Sequence, residues 1–567
     1  MLPLVPTTHR DVTKYYIAQY EAGVEAGIFQ PFIYPWGALG ATAVLGYLLV
    51  DHRTSPLLRK CRYLVFTYLF YFAASSIKHC RARNPASAFG IGLLNAWSIL
   101  WIAKIMLFDD CQTDYKRIER KEEEPRLDRV DADANGSAQA TGVNTVHGHA
   151  KTRPKQSELA PSADLGTTQT PRQRRGSFSW QGYPSGPFIE RLDWVADVFS
   201  NFRGVGWNWQ SPGLPPPPSW VQEQLDRNSG NESSHEEKNP HRSAVRCFTE
   251  KGPLLRANLL LLVGGYLLLD LLKTGISHDP YFWGVVDPSP PAYLPHFVQN
   301  SSILLRSYRL VFGLVAVYSA LQTTFVLCPL FFVGVLGPAV LGARGEPWMY
   351  PSTFGSYTVV FDKGLAGWWG AMWHQTFREA FATPSKRLIE ILGMNPKSLP
   401  AKSIQLLVAF ALSGCLHAAG SYTQTGDTSP LSGPFLFFIL QPLGIISQML
   451  FAGAMEKSGV LQKTPRRVRQ AANFIYVHVW FYYTGGLLLD DFCKGGILLF
   501  EPIPISLFRG LGLGAEGDSW WCWWNGLVHW ASGEALTCNF TIPSRLFAAI
   551  EAKLQEANGA RWMAHDF

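Results

Sequence analysis

The stretch IQLLVAFALSGCLHAAGSY, residues 404 to 422, decides the class of fold. It is mostly apolar over the length of about 20 residues that a helix needs to cross a bilayer. His417 lies deep within it. A titratable group is expensive inside a membrane, so this histidine is a functional candidate by default. The alternative is a histidine that only hydrogen-bonds between helices.

Small residues precede His417 along the predicted helix. Ser413 lies four residues before it, on the same face, and Gly414 lies three residues before it. We therefore expect an open surface beside the imidazole, where a reactant approaches. Cys415 is two residues away and points to a different face, which makes it a poor nucleophile partner.

Further apolar stretches predict an all-α integral membrane protein, a multi-span bundle of about eight or nine transmembrane helices. The composition agrees, because 47% of the 567 residues are apolar and only 16% are charged. The fifth stretch is long enough to tilt, or to break at Pro329. The predicted spans lie near 33–50, 63–77, 88–108, 253–272, 310–337, 404–422, 435–454 and 471–490, with a doubtful ninth at 495–515.

Basic residues predict the orientation and the domain boundaries. Short Lys/Arg clusters follow the first stretch, separate the fifth from the sixth and precede the eighth, which places these loops in the cytosol. Such clusters explain the net charge of +7 better than nucleic-acid binding does. We expect N-terminal spans at 1–109, a cytosolic and largely disordered insertion at 110–250, a core at 251–530 and a tail at 531–567. The basic residues of the first cluster are Arg53, Arg59, Lys60 and Arg62, whereas Lys78, Arg81 and Arg83 disagree with this orientation.

Part of the insertion has helical periodicity. Between residues 187 and 209, apolar side chains recur on one helical face, so this piece should be ordered against the membrane or the bundle. These side chains are Phe188, Leu192, Val195, Phe199 and Phe202.

A second histidine lies in GLAGWWGAMWHQTFREAF, residues 364 to 381. The stretch predicts an interfacial helix, with His374 and Arg378 together on one face. Arg378 and the nearby Lys386 and Arg387 would meet anions from the cytosol. The alternative is an aromatic membrane anchor with an incidental histidine. The predicted apolar face comprises Trp369, Trp373, Phe377 and Ala380.

Two histidines suit base-assisted transfer to an alcohol, because imidazole titrates near working pH and a positioned base gives about 10² to 10⁴ in rate. The HxxxD, GxSxG, HExxH and P-loop patterns are absent, which argues against soluble acyltransferases, hydrolases, zinc proteases and ATP-driven pumps. Nine scattered cysteines without a CxxC pair predict neither a disulfide framework nor a zinc site.

The order and spacing of these motifs carry a family resemblance. Trp373-His374-Gln375, followed about forty residues later by Ser413-Gly414-Cys415-Leu416-His417, resembles the wax synthase-like branch of the membrane-bound O-acyltransferases (MBOAT). Within that branch, the motifs resemble those of fungal terpenoid and meroterpenoid acetyltransferases. The stretch FRGVGW, residues 202 to 207, is similar to an RGxGW-like element of those enzymes. Ala371 and Met372 depart from the family pattern, which often has two arginines there.

The resemblance implies a bundle with an internal tunnel in the endoplasmic reticulum membrane. Acyl-CoA, as co-substrate and not a bound cofactor, would enter from the cytosol, and a lipophilic alcohol would arrive through the lipid bilayer. His417 would be the general base and His374 would position substrate, with no metal required. The residues expected to bind substrate or CoA are Trp369, Trp373, Gln375, Arg378, Ser413 and Gly414.

Two alternatives remain open from the sequence. The same chemistry would serve long-chain acyl-CoA with a fatty alcohol, diacylglycerol or sterol. A transporter would instead use His417 to line a proton or substrate path. Transporters often contain internal repeats, and none relates residues 33–108 to 404–490.

Overall fold

The computed structural model describes residues 6–121, 177–229, 245–285 and 288–524. These residues are mostly helical. Much of the predicted insertion and the whole predicted tail lie outside them. The helices are α1 (His9–Glu25), α2 (Leu39–Leu49), α3 (Pro56–His79), α4 (Pro85–Ile102), α5 (Cys111–Asp114), α6 (Phe188–Ser200), α7 (Ser219–Ser229), α8 (Lys251–Ile276), α9 (His296–Gln299), α10 (Ser302–Phe325), α11 (Leu327–Pro329), α12 (Pro338–Leu341), α13 (Thr358–Gly367), α14 (Arg378–Ile391), α15 (Leu399–Tyr422), α16 (Leu436–Lys457), α17 (Val460–Lys463) and α18 (Arg466–Lys494).

Shorter elements connect these helices. Two small sheets correct the expectation of a purely helical chain. Their strands are β1 (Gln30–Pro31) with β2 (Cys80–Arg81), and β3 (Arg117–Lys121) with β4 (Ser177–Gln181). The π-helices are Ala103–Phe108, Leu330–Leu336, Trp368–Met372, Leu431–Phe435 and Arg509–Leu513. The 3₁₀ turns are Trp36–Ala38, Pro280–Trp283, Gly342–Gly345, Pro347–Met349 and Ile497–Leu499.

Five helical segments among the described residues are long and apolar enough to cross a membrane. The other three predicted spans are also helical, in α2, α3 and α18, but they do not meet the same criteria of length and composition. The five segments are Pro85–Phe108, Lys251–Ile276, Ser302–Leu336, Leu399–Tyr422 and Leu431–Lys457.

One of the two outcomes predicted for the fifth stretch is seen near Pro329, and one predicted boundary changes. The third of these segments is interrupted near Pro329, since α10 ends at Phe325 and a π-helix starts at Leu330. Proline lacks the backbone donor that would continue the hydrogen-bond ladder. The basic residues assigned to the loop after the first span lie mostly inside α3, which already begins at Pro56. Ser55 caps that helix by accepting a hydrogen bond from the Leu58 amide.

Helices α4 and α15 pack in very close contact. A Cβ atom added to Gly92 would lie 1.9 Å from the Ala419 carbonyl oxygen. A Cβ atom added to Gly420 would lie 2.6 Å from the Phe89 ring. The Thr423 hydroxyl donates to the Ala88 carbonyl (2.7 Å). Small residues let helices in membranes approach closely, and this contact fixes the position of α15.

The piece at 177–229 packs on the ends of α2 and α4. Two glycines with positive φ, Gly204 (66°) and Gly206 (77°), turn the chain so that Trp207 is buried beside Trp194. Of the predicted apolar face of α6, Val195 is fully buried, whereas Phe188 and Leu192 are exposed. The helix therefore uses its C-terminal half to join the aromatic core.

Candidate functional site

His417 lies in α15 with one ring nitrogen already engaged. Its Nδ1 lies 2.8 Å from the Ser413 carbonyl oxygen. Because a carbonyl oxygen only accepts, Nδ1 carries a proton, and in the neutral ring Nε2 then keeps its lone pair. Among the described residues Nε2 has no hydrogen-bond partner. This tautomer is the one that a general base at Nε2 requires.

Aromatic rings hold the imidazole from two sides. The Phe438 ring of α16 lies 4.3 Å from the His417 ring, and Phe89 of α4 lies 6.5 Å away, between centroids. The predicted open surface at Gly414 is wrong. A Cβ atom there would meet the Phe435 ring at 2.9 Å, so Gly414 allows helix contact and offers no space to a reactant. Ser413 contributes its carbonyl to the ring orientation.

The predicted helix over 364–381 is broken twice. Gly364 has non-helical torsions (φ 56°, ψ −136°), and the backbone at Trp373 is extended. The next helix, α14, begins only at Arg378. His374 and Arg378 therefore do not share a helical face, and the predicted apolar stripe divides between two clusters of core residues. Trp369 and Trp373 join one cluster, and Phe377 and Ala380 join the other.

Side-chain donors explain where the helix ends. The Gln375 amide nitrogen donates to the carbonyls of Trp369 (3.0 Å) and Trp373 (2.7 Å). The Arg378 guanidinium donates to the Gly370 carbonyl (3.2 Å) and to Gln375 Oε1 (3.0 Å). These bonds satisfy carbonyls that would otherwise need another helical turn. Gln375 is thus a positioning residue, and Arg378 combines this role with a charge that no carboxylate neutralises among the described residues.

Gln441 of α16 was missed by the sequence interpretation. It is fully buried, and its side-chain oxygen accepts from the indole nitrogens of Trp369 and Trp480, both at 3.2 Å. It therefore links the π-helix Trp368–Met372, just before His374, to α16 and α18. A glutamine inside the apolar run LFFILQPLG was an available signal, because polar side chains within spans usually bond between helices.

His374 lies outside the spans, in an aromatic pocket. Its ring is 5.8 Å from Phe354, 5.6 Å from Phe377 and 6.4 Å from Phe325, between centroids. Its Nδ1 is buried without a hydrogen-bond partner. Burial lowers the pKa of His374 to about 3, and the nearby His417 and Arg203 contribute in the same direction. The ring is therefore neutral at ordinary pH.

A series of aromatic contacts connects the two histidines. The His374 ring lies 5.5 Å from the Trp373 ring, between centroids. The Trp369 ring lies 6.2 Å from Trp373 and 6.0 Å from Phe438, which in turn packs on His417. Both imidazoles retain some exposed surface. The structure thus connects α15, α16 and residues 373–375 through aromatic rings that contact both histidines.

Two cavities among the described residues lie elsewhere. One borders His9, Arg83 and Trp524, and the other borders Lys116 and Asn228. Neither includes His374 or His417. The internal tunnel therefore stays a prediction.

The neutral state of His374 predicts a pH-dependent stability. Its folded pKa lies below the unfolded value of about 6.5, so the stability it contributes is present above that pH and is lost as the pH falls toward 3. Relative to His374→Gln, the unfolding free energy of the wild type should fall by roughly 1 to 2 kcal/mol between about pH 7 and pH 5. Thermal unfolding of both proteins in detergent measures this difference. A difference that does not change with pH would show that the ring titrates normally.

Comparison with known proteins agrees with this geometry. Residues 350–440, which include both histidines, match the membrane bound O-acyl transferase family. An acetyltransferase of Rhodocybe pseudopiperita is 27% identical over 352 residues, covering 58% of this chain and 75% of its own length. An acetyltransferase of Calcarisporium arbuscula is 25% identical, covering 57% and 72%. An O-mevalon transferase of Aspergillus niger is 25% identical, covering 53% and 61%. No solved structure shows significant similarity.

The apolar helices and the match of residues 350–440 to the membrane bound O-acyl transferase family indicate a membrane-embedded acyltransferase. The relatives named acetyltransferases agree with this class of enzyme and favour it over the transporter alternative.

Proposed function

We propose that the enzyme transfers an acetyl group from acetyl-CoA to the hydroxyl of a lipophilic alcohol such as a terpenoid, in secondary metabolism. The observation that carries the reaction type is the Nε2 of His417 without a partner among the described residues, in a helix whose aromatic neighbours also contact His374. The choice of acetyl is supported by the relatives named acetyltransferases. Long-chain donors are the alternative.

The proposed reaction needs one base that takes a proton from the alcohol and later returns it to the leaving group. His417 Nε2 takes the proton of the acceptor hydroxyl while that oxygen attacks the thioester carbonyl carbon. The tetrahedral intermediate then collapses, the carbon–sulfur bond breaks, and the imidazolium returns the proton to the leaving CoA thiolate. The products are the ester and CoA, with no covalent enzyme intermediate. His374, neutral and without a partner at Nδ1, would hydrogen-bond to a reactant.

The proposed orientation of the helices in the membrane is based on the positions of the basic residues. Eight spans would place α14 and the start of α18 at the cytosolic face, where acyl-CoA is available. The acceptor would reach His417 through the bilayer by an internal tunnel. We place the enzyme in the endoplasmic reticulum membrane.

Ester formation by purified enzyme tests the proposal. Enzyme in nanodiscs is incubated with labelled acetyl-CoA or with a long-chain acyl-CoA, together with a panel of terpenoid, sterol and fatty alcohols. We expect labelled ester with acetyl-CoA and at least one terpenoid alcohol. Ester formation only from the long-chain donor would replace the acetyl assignment. Absence of ester with every pair would reject the proposal.

A further inference from the structure

Arg203 is half-buried and differs from the fully buried arginines of the described residues in its partners. Its guanidinium donates to the carbonyls of Pro351 (2.6 Å) and Ser352 (3.0 Å). Among the described residues it forms no ion pair with a carboxylate. By contrast, Arg117 pairs with two aspartates and Glu119, Arg309 pairs with Asp279, and Arg509 pairs with Glu501.

The absence of a carboxylate partner affects the pKa of Arg203. Burial lowers the pKa of Arg203 to about 10. Burial alone would also lower the pKa of Arg117, but Asp197, Glu119 and Asp193 raise it above its usual value. A charge taken out of water without a partner is costly. Arg203 is therefore a cation whose partners among the described residues are two backbone carbonyls and no carboxylate.

Its position relates it to the histidines. Arg203 and His374 border the same segment of chain. Arg203 bonds to the Pro351 and Ser352 carbonyls, and the Phe354 ring two residues further on lies 5.8 Å from the His374 ring, between centroids. Arg378 lies near the same loop, because its Nη1 would be 3.4 Å from a Cβ atom added to Gly213. The chain therefore places two arginines close to the segments that surround His374, although Ala371 and Met372 provide no charge.

We propose that Arg203 binds the diphosphate of the acyl donor, whose pantetheine arm then extends past His374 toward His417. This inference rests on the proposed function. Arginine suits the site because its planar guanidinium binds phosphate through paired hydrogen bonds. The bonds to the 351–352 carbonyls hold the side chain in place before the donor arrives.

Two acyl donors, one with and one without the diphosphate, test whether Arg203 binds that group. Acetyl-CoA carries the diphosphate, and acetyl-pantetheine lacks it. Arg203→Gln keeps a donor for the carbonyls and removes the charge. We expect kcat/KM for acetyl-CoA to fall about 10- to 100-fold, as for loss of a charged hydrogen bond. With acetyl-pantetheine, kcat/KM should change less than about 3-fold, because this donor has no diphosphate for Arg203 to bind. Equal losses with both donors would overturn the proposal in favour of a purely structural role.

Controls separate the remaining explanations. Arg306→Gln alters another arginine that donates to a backbone carbonyl, that of Tyr482, and it should leave both donors unaffected. A loss that requires phosphatidylserine in the nanodisc and not the donor diphosphate would assign Arg203 to lipid and contradict the proposal.

Binding of labelled CoA to the wild type and to Arg203→Gln is measured in parallel. If the wild type transfers no acetyl group, the proposed function fails, yet weaker CoA binding by Arg203→Gln still supports the site and equal binding refutes it.

Discussion

His417→Ala should lower kcat by about 10² to 10⁴, the usual contribution of a positioned general base. The loss follows from the geometry at Nε2, which is the nitrogen left free once Nδ1 is held by the Ser413 carbonyl. The variant should remain folded, because the bond that it loses lies within α15. Single-turnover assays with acetyl-CoA and an accepted alcohol measure the effect.

His478→Ala is a matched control. His478 also directs Nδ1 to a carbonyl four residues earlier, that of Phe474 at 2.8 Å, but it lies in α18 and its Nε2 contacts Tyr357. This variant should keep kcat within about 3-fold of the wild type. Activity unchanged in His417→Ala would remove the assigned base, whereas equal losses in both variants would indicate general destabilisation.

Gly92→Ala should disrupt both the fold and the activity. The added methyl would lie 1.9 Å from the Ala419 carbonyl oxygen, so α4 and α15 would have to separate. Overpacking of this kind costs about 1 to 3 kcal/mol, and here it also moves the helix that carries His417. Thermal unfolding in detergent and ester formation measure the two effects.

Gly90→Ala in the same helix provides the comparison. A Cβ atom added to Gly90 has no neighbour within 4 Å. Alanine favours helix by up to about 1 kcal/mol over glycine, so this variant should be as stable as the wild type or slightly more so. If Gly92→Ala matched Gly90→Ala in stability and activity, the close α4–α15 contact would be refuted.

Apolar length predicted the helices well. A helix needs about 20 apolar residues to cross the hydrocarbon core of a bilayer, so such stretches indicate spans directly. All eight predicted stretches lie in helical segments. The limits of α3 were harder to predict, because Arg59, Lys60 and Arg62 occupy its first turns and hide them from an apolar pattern. The FRGVGW turn depends on backbone torsions at Gly204 and Gly206, which composition does not report.

The candidate site was predictable only in part. His417 is conspicuous because ionisable residues are rare within spans. The break at Trp373 was not predictable from periodicity, since it depends on Gln375 and Arg378 bonding back to carbonyls of the preceding turn. Gln441 and Arg203 join the site only through contacts between segments distant in sequence. Such contacts have no signature in a single stretch.

The most direct test of the account is a cryo-electron microscopy structure of the enzyme in a nanodisc with an oxygen-for-sulfur acetyl-CoA analogue. The account predicts the acetyl carbonyl beside His417, the arm past His374 and the diphosphate on Arg203. An analogue bound elsewhere, or His417 Nε2 facing lipid, would contradict it.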